Sequence, residues 1–205
     1  WIEYGRGVPC SQKSYARRVT TLKVFFDYLH TVEVLNASPA AALVQRSGSA
    51  PLPHVLTPAQ IEAVLDVTAR LRFAEKPDAR PDLLVRLLLD TGLKKGEVMA
   101  LPPADIDRTV TPPVVRVRYD SPRNTYRERD IPLDPEWPAL LDEYLAQYTP
   151  KEVIFDCTPR NLEYVLKDVG IAAGIEGFLL SFVVLRWTSA LQDLRRGMEP
   201  DLLRE

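Results

Sequence analysis

Two adjacent lysines stand at the place in the sequence where a rigid turn could hold cations for chemistry. Lys94 and Lys95 follow Thr91-Gly92 at the end of the apolar run Leu87–Leu89, and Glu97 comes shortly after them. Glycine closes helices because it tolerates left-handed geometry, so the pattern predicts one helix that ends at Gly92 and a second that begins near Glu97. Lysines held there could bind a phosphate, although a solvated turn is the more ordinary interpretation.

Arg186 is a second cation in a setting that could serve chemistry. It follows the apolar run Phe178–Leu185, inside a predicted helix from Ser181 to Arg196. A guanidinium can donate two parallel hydrogen bonds to a phosphate, which an ammonium cannot do. The alternative is an ordinary helix arginine whose aliphatic part packs on its neighbours.

Composition limits what these cations could bind. The 205 residues carry a net charge of −2, so there is no global attraction for nucleic acid. Residues 1–50 hold six Lys/Arg against three Asp/Glu, and residues 114–129 hold five against two, so each stretch carries +3. Two cysteines and two histidines without ligand spacing give no metal site, and no cofactor is expected. No apolar run approaches the roughly 20 residues of a membrane span, and sparse cysteine fits a reducing cytoplasm.

A long amphipathic helix is predicted over residues 11–30. Its apolar stripe has 4-3-4-3 spacing: Tyr15, Val19, Leu22, Phe26 and Leu29. Lys13, Arg17 and Arg18 fall off that stripe, so we expect them to face solvent. They could contact DNA phosphates or serve solubility alone.

Two short strands, Val114–Tyr119 and Tyr126–Leu133, are predicted to form an antiparallel hairpin. The turn between them is Asp120–Asn124. We expect the hairpin to carry a basic face for DNA phosphates. Its candidate residues are Arg116, Arg118, Arg123, Arg127 and Arg129.

The remaining signals indicate helices, so the predicted class is mainly α with a small antiparallel sheet. Ser, Gly and Pro are concentrated in residues 47–56, which predicts a linker between a first domain, 1–46, and a second, 57–205. Thr57-Pro58 then begins a helix through a capping box with Gln60. The chain starts at Trp1 and stops within helix-like sequence, so we expect it to be a fragment.

Three motifs in order resemble the tyrosine recombinase (phage integrase, Xer-like) family. Thr91–Val98 resembles Thr-Gly-Leu-Arg-x-x-Glu-Leu, Arg127–Leu133 resembles Lys-x-Arg-x-x-Pro-Leu, and Leu185–Ala190 resembles His-x-Leu-Arg-His-Thr from its leucine onward. The resemblance implies that residues 1–46 are part of a helical, SAM-like core-binding domain. It implies that residues 57–205 are an integrase-like catalytic domain without its C-terminal, tyrosine-bearing part.

The resemblance also assigns roles, and the sequence departs from most of them. Lys94 takes the place of the first phosphate-clamping arginine, Arg186 keeps the second, and Glu97 matches a structural partner of the neighbouring cation. Val183 occupies a histidine position and cannot transfer a proton. Arg123 and Asn124 stand where the family has a lysine that protonates the leaving hydroxyl, and none of Tyr119, Tyr126, Tyr144, Tyr148 and Tyr164 matches the nucleophile.

Three hypotheses follow from this pattern. The first is a catalytically degenerate recombinase-type protein that binds duplex DNA, acts in recombination or integration and works in the cytoplasm at the nucleoid. The second is an active site-specific recombinase whose nucleophile lies outside residues 1–205. The third is a recombinase fold reused as an interaction module. A homo-oligomer or a partner recombinase is possible in each case, and no membrane is expected.

Overall fold

The computed structural model describes residues 2–46 and 52–201. The chain divides into two compact units, one from Trp1 to Leu52 and the other from Pro53 to Glu205. Residues 47–51 of the predicted linker lie outside the described residues. The last residues of the predicted linker, from Pro53 onward, belong to the second unit. There Leu56 is only 2% exposed, and its N–H donates to the Thr188 hydroxyl at 3.0 Å.

The first unit is built on one long helix, α1, from Gln12 to Thr31. Ser11 caps it by accepting from the Ser14 N–H at 3.2 Å, because the first N–H groups of a helix lack partners within it. The predicted helix and its apolar stripe are confirmed, with Val19 fully buried and the other four stripe residues half-buried. Residues 39–44, which follow this helix, form only isolated turns.

The second unit contains six α-helices among its described residues. They are α2 (Pro58–Arg72), α3 (Arg80–Thr91), α4 (Lys95–Ala100), α5 (Trp137–Tyr148), α6 (Pro159–Ala172) and α7 (Phe182–Arg195). The capping box at Thr57 is present, with the Gln60 side chain and backbone exchanging hydrogen bonds with it. A further helix expected at Glu199-Pro200 is not formed within the described residues; a turn stands there.

Helix α3 is the centre of the second unit. It packs against α2, α5, α6 and α7, and Leu83, Leu84, Leu87 and Leu88 are all fully buried. An apolar helix covered on all sides forms a core rather than an amphipathic surface, which explains its dense leucine content. No helix in the described part of the chain has the length and apolarity needed to cross a membrane.

A three-stranded antiparallel sheet completes the second unit. Strands β1 (Ile106–Asp107), β2 (Val114–Val117) and β3 (Arg129–Pro132) lie in the order β1-β2-β3. The mainly α class with a small antiparallel sheet is therefore confirmed. The second predicted strand is shorter than expected, because Pro122–Arg127, here called the hairpin tip, forms a 3-10 helix.

Candidate functional site

The turn that carries Lys94 is held tightly against α7. Gly92 ends α3 in the left-handed region, with φ of 60°. A Cβ placed on Gly92 would lie 3.3 Å from the Ser189 hydroxyl oxygen and 3.9 Å from Cγ of Arg186. Glycine thus meets both demands of the position: it adopts the positive φ and leaves room for the neighbouring helix.

Lys94, Val183 and Arg186 line one cavity of about 510 Å³ at this turn, which we call the Lys94–Arg186 cavity. Its other walls are Leu93, Lys95, Glu163, Tyr164, Lys167, Leu179, Leu180, Ser181 and Phe182. Residues about 90 positions apart in sequence, from the first and third motifs, are thereby brought together. Their roles toward DNA stay predictions.

Arg186 stands between two cavities. It lines the Lys94–Arg186 cavity and also a second cavity of about 270 Å³, which Arg129, Asp130 and Asp193 line as well. The residue is half-buried, and within residues 2–46 and 52–201 its side chain has no ion pair or hydrogen bond. A half-buried guanidinium with free donors is suited to accept an anionic ligand.

Val183 is 61% exposed on the wall of the Lys94–Arg186 cavity. Its isopropyl group offers neither a proton nor a hydrogen bond, in the position where the resemblance places a histidine. Ser181, two positions earlier, uses its hydroxyl to cap α7 by accepting from the Val184 N–H at 3.4 Å. The cavity therefore keeps positive charge beside a group that cannot perform acid–base chemistry.

Glu97 is the hub of a buried network behind the turn. Its side chain is 5% exposed and accepts from the Lys94 N–H at 2.7 Å and from Arg129 at 3.0 and 3.2 Å. The Tyr119 hydroxyl donates to the same carboxylate. The Lys94 ammonium lies 3.8 Å away, too far for a hydrogen bond but close enough for attraction. The structure is consistent with the expected structural role of Glu97.

These contacts shift the pKa values of all three partners. Burial alone would raise the pKa of the Glu97 carboxyl, but hydrogen bonds from Arg129, Tyr119 and the Lys94 backbone lower it below its ordinary value. Burial would lower the pKa of Arg129, and its bond to Glu97 reverses that effect and raises it. Burial and the bond to Glu97 raise the pKa of Tyr119 above its ordinary value.

The predicted basic face of the hairpin needs correction at Arg129. In the antiparallel register, Arg129 pairs with Val117 and Ile131 with Val115, so Arg129 lies on the inward face. Arg116 pairs with Asp130 on the outward face. Directly opposed residues of two strands share a face, so Arg129 cannot lie with Arg116. Its guanidinium is held by Glu97 instead.

Arg116 of β2 and Arg118, which directly follows the strand, are both ion-paired. Arg116 contacts Asp107 at 2.5 Å, and Arg118 contacts Asp130 at 2.9 Å. Both side chains remain about two-fifths exposed, at 40% and 42%. The sequence-based expectation of a basic surface at these positions overlooked the neighbouring acids, which neutralise most of it.

The hairpin tip is the most accessible basic part of the sheet. Arg123 is exposed, and Arg127 lies 5.1 Å over the ring of Tyr126 and donates to its hydroxyl at 2.8 Å. The Tyr126 ring is 73% exposed. Neither arginine has an acidic partner in the part of the chain that the structure describes.

The cations of α1 differ from one another in their surroundings. Lys13 and Arg17 are exposed, as expected. Arg18, also expected to face solvent, is half-buried and donates to the Ile2 carbonyl at 3.0 Å. Its guanidinium lies against Gly5. The buried face of α1 is therefore wider than the 4-3-4-3 stripe, because Ile2 and Gly5 of the N-terminal segment lie against Arg18.

Several residues of the site were missed in the sequence. Tyr119 continues the alternation of Val115 and Val117, a signal that already placed it on the inward face. Lys167 and Glu163 lie on α6 and reach the cavity only through tertiary packing, so no local pattern could reveal them. Lys95 is exposed as predicted and pairs with Glu163 at 2.9 Å. Within the described residues, no cluster of His, Cys, Asp or Glu could hold a metal ion.

Comparison with curated proteins finds relatives among the tyrosine recombinases. The chain is 28% identical over 180 residues to the tyrosine recombinase XerC of Staphylococcus saprophyticus, covering 82% of this chain and 58% of the relative. It is 31% identical over 139 residues to the tyrosine recombinase XerA of Saccharolobus solfataricus, covering 68% and 42%. The chain thus spans about half the length of these curated relatives. No protein-family model matches it.

Solved structures share the fold at lower identity. The XerH site-specific recombinase bound to palindromic difH substrate superposes with a TM-score of 0.76 at 17% identity, covering 95% of this chain and 60% of that one. A lambda integrase dimer bound to a COC' core site gives 0.68 at 17% identity, covering 94% and 70%. The solved structures share the fold, and the curated relatives show that the chain belongs to the tyrosine recombinase family.

Proposed function

We propose that the chain binds duplex DNA as a recombinase-type protein of DNA recombination or integration, and that its own strand-cleavage centre is impaired. One observation carries the proposal. Lys94 and Arg186 share a cavity with Val183, so two cations that can hold a phosphate remain where the proton-transferring group is missing. Positive charge alone is enough to bind a phosphate, whereas cleavage also requires proton transfer and a nucleophile.

The geometry of the turn supports a phosphate-holding role for Lys94. Its backbone N–H donates to the Glu97 carboxylate, and its side chain is 35% exposed at the cavity wall. An ammonium is a point charge without the fork of a guanidinium, so it attracts a phosphate without aligning two of its oxygens. The loss of one such aligned donor costs other enzymes about 3 kcal/mol of transition-state stabilisation.

The accessible cations extend the proposed interface. Lys13 and Arg17 on α1, and Arg123 and Arg127 at the hairpin tip, have no acidic partner among the residues that the structure describes. We assign phosphate contact to these four first. Arg116 and Arg118 would contribute less, because each would have to exchange an existing carboxylate for a phosphate. We remove Arg129 and Arg18 from the interface, because the buried Glu97 carboxylate holds Arg129 and Arg18 donates to the Ile2 carbonyl.

Two named structural neighbours are bound to DNA: XerH to its difH substrate and lambda integrase to a core site. The same fold with accessible cations makes duplex DNA the partner we propose here. The lambda integrase of that structure is a dimer. By the same reasoning, we propose that any strand cleavage in an assembly of this chain comes from a partner recombinase subunit.

One incubation, analysed on a native gel and on a denaturing gel, tests both DNA binding and strand cleavage. A pool of nicked suicide duplexes with randomised sequence is mixed with the protein at low salt. We expect a shifted complex on a native gel and no protein–DNA adduct on a denaturing gel. Failure to bind any duplex would refute the DNA-binding part, and would favour the interaction-module alternative.

A second candidate is an active recombinase that uses Lys94 and Arg186 with a nucleophile outside residues 1–205. The intact Glu97–Arg129–Tyr119 network favours it, because a degenerate site has no need of a well-ordered support. A covalent adduct in the same denaturing gel, formed by the full-length protein and lost in Arg186→Ala, would establish this candidate instead.

A further inference from the structure

The Lys94–Arg186 cavity has two kinds of wall. Leu179 and Val183 are 63% and 61% exposed and form its outer wall, while Leu180 and Phe182 close it from the core side. Large apolar side chains left this open to water beside a cavity are a binding signal rather than a structural need. The volume of about 510 Å³ lies in the range of small-molecule sites.

The charge of the cavity is positive and only partly compensated. Glu163 is engaged by Lys95 at 2.9 Å, and Glu97 lies 3.8 Å from Lys94. Lys167 and Arg186 have no carboxylate partner within the described ranges 2–46 and 52–201. Two free cations therefore face a mainly apolar hollow.

A DNA phosphodiester would match the cations of this cavity but not its apolar wall. Its anionic oxygens would meet the cations, but it brings no apolar group to cover Leu179 and Val183. A ligand with one anionic head and an apolar body would meet both walls, and each methylene it buries should tighten binding about four-fold. The apolar side chain of Val183, which cannot transfer a proton, is suited to contact the apolar body of such a ligand.

We propose that the Lys94–Arg186 cavity binds a small amphiphilic anion. A phosphate or carboxylate head contacts Arg186 and Lys167, and an aliphatic body lies against Leu179 and Val183. The bound anion would occupy Arg186, a cation that we assign to DNA, so it would lower duplex affinity. This last consequence alone depends on the proposed DNA binding.

Calorimetric titration tests the site without DNA. Octyl phosphate, kept below its micelle concentration, is compared with inorganic phosphate and with octanol. We expect octyl phosphate to bind at least ten-fold more tightly than either, because only it meets both walls. Val183→Glu and Lys167→Glu should each weaken it at least ten-fold, and Lys76→Glu, an exposed cation outside the cavity, should leave it unchanged. Thermal melts confirm that each variant is folded.

Three results would overturn the proposal: equal affinity for octyl and inorganic phosphate, equal affinity for octanol, or binding that none of the substitutions changes. Co-sedimentation with phosphatidic acid vesicles, lost in Val183→Glu, would identify a lipid as the source of the anion. Binding of octyl phosphate without co-sedimentation would identify a soluble ligand.

Duplex DNA titrated with and without octyl phosphate separates the two proposals. Weaker DNA binding supports competition at the shared cation. Unchanged DNA binding beside confirmed octyl phosphate binding would refute the shared cation and leave the amphiphile site intact.

Discussion

Arg129 donates to both carboxylate oxygens of Glu97, at 3.0 and 3.2 Å, from the inward face of strand β3. The pair joins the sheet to the first turn of α4, where Glu97 also accepts from the Lys94 N–H. The hairpin and the Lys94 turn are thereby fixed to each other. Arg129, at first sight a DNA contact, instead supports Lys94, the residue that contacts the phosphate in our proposal.

Substituting Glu97→Gln should destabilise the protein markedly. The amide keeps the shape but leaves the Arg129 guanidinium without its counter-charge, and breaking a buried ion pair costs roughly 3 kcal/mol. Urea unfolding measures the change. Glu163→Gln is the matched control, since it removes only the exposed pair with Lys95 and should cost less than about 1 kcal/mol.

The effect of Glu97→Gln should depend on pH. The folded-state pKa of Glu97 lies below its ordinary value, so its stabilisation is present above the unfolded pKa of about 4.3 and is lost as pH falls through the folded pKa. The difference between wild type and variant should therefore be constant from pH 6 to 8 and shrink below pH 4. A difference that stays the same at pH 3 would contradict the assigned pair.

Asp90, just before the Lys94 turn, should show the opposite dependence. The residue remains accessible to solvent, yet local burial of its carboxyl and the nearby Asp134 raise its pKa to about 6. The folded state thus binds the proton more tightly, and stability falls as pH rises from about 4 to about 6. Asp90→Asn should raise Tm at pH 7.5 and leave it unchanged at pH 3.5. Equal shifts at both values would refute this assignment.

Gly170→Ala should destabilise the protein, although alanine favours helices. A Cβ at Gly170 would lie 2.6 Å from Cβ of Leu180, which is buried, so α6 and the cavity wall must separate. Overpacking of this kind costs about 1–3 kcal/mol. Gly96→Ala in α4 is the control, because nothing lies within 4 Å of its Cβ, and it should stabilise by up to about 1 kcal/mol. Similar denaturation midpoints for the two variants would contradict the close packing.

The hairpin tip should contribute more to DNA binding than the strand arginines. Arg123→Ala with Arg127→Ala removes two cations without acidic partners among the described residues. Arg116→Ala with Arg118→Ala removes two that are already ion-paired. Each lost phosphate contact lowers the salt slope of duplex affinity by about 1. Gel shifts at several salt concentrations should show a clear loss for the tip pair and a smaller one for the strand pair; the reverse order would exclude the tip.

The helices were readable from the sequence because each signal was local. The stripe of α1, the capping box at Thr57 and the glycine stop at Gly92 lie within a few residues of what they specify. The inward position of Arg129 could also have been predicted, because Arg129 is two residues before Ile131 and four before Leu133, in phase with both. The predicted strand was too long, and this obscured the pattern. The 3-10 turn at Pro122–Arg127 interrupts that alternation.

Other features of the site could not be predicted from the sequence, because tertiary packing brings their residues together. Lys167 reaches the cavity from α6, and Arg116 meets Asp107 across β1 and β2. No spacing within either segment indicates such a partner. Counting basic residues in the sequence therefore overestimated the basic surface that is free to bind DNA. The structure is needed to tell which cations are accessible and which are ion-paired.

The most direct test of the central claim is the salt dependence of duplex binding by the Lys94→Ala/Arg186→Ala double variant. Fluorescence anisotropy of a labelled duplex is recorded from 50 to 200 mM salt, with Lys76→Ala/Lys151→Ala as the control for loss of exposed charge. If the cavity cations hold phosphate, the slope of log affinity against log salt should fall by about 2 in the cavity variant relative to the control. An identical slope in both variants would contradict phosphate binding at Lys94 and Arg186.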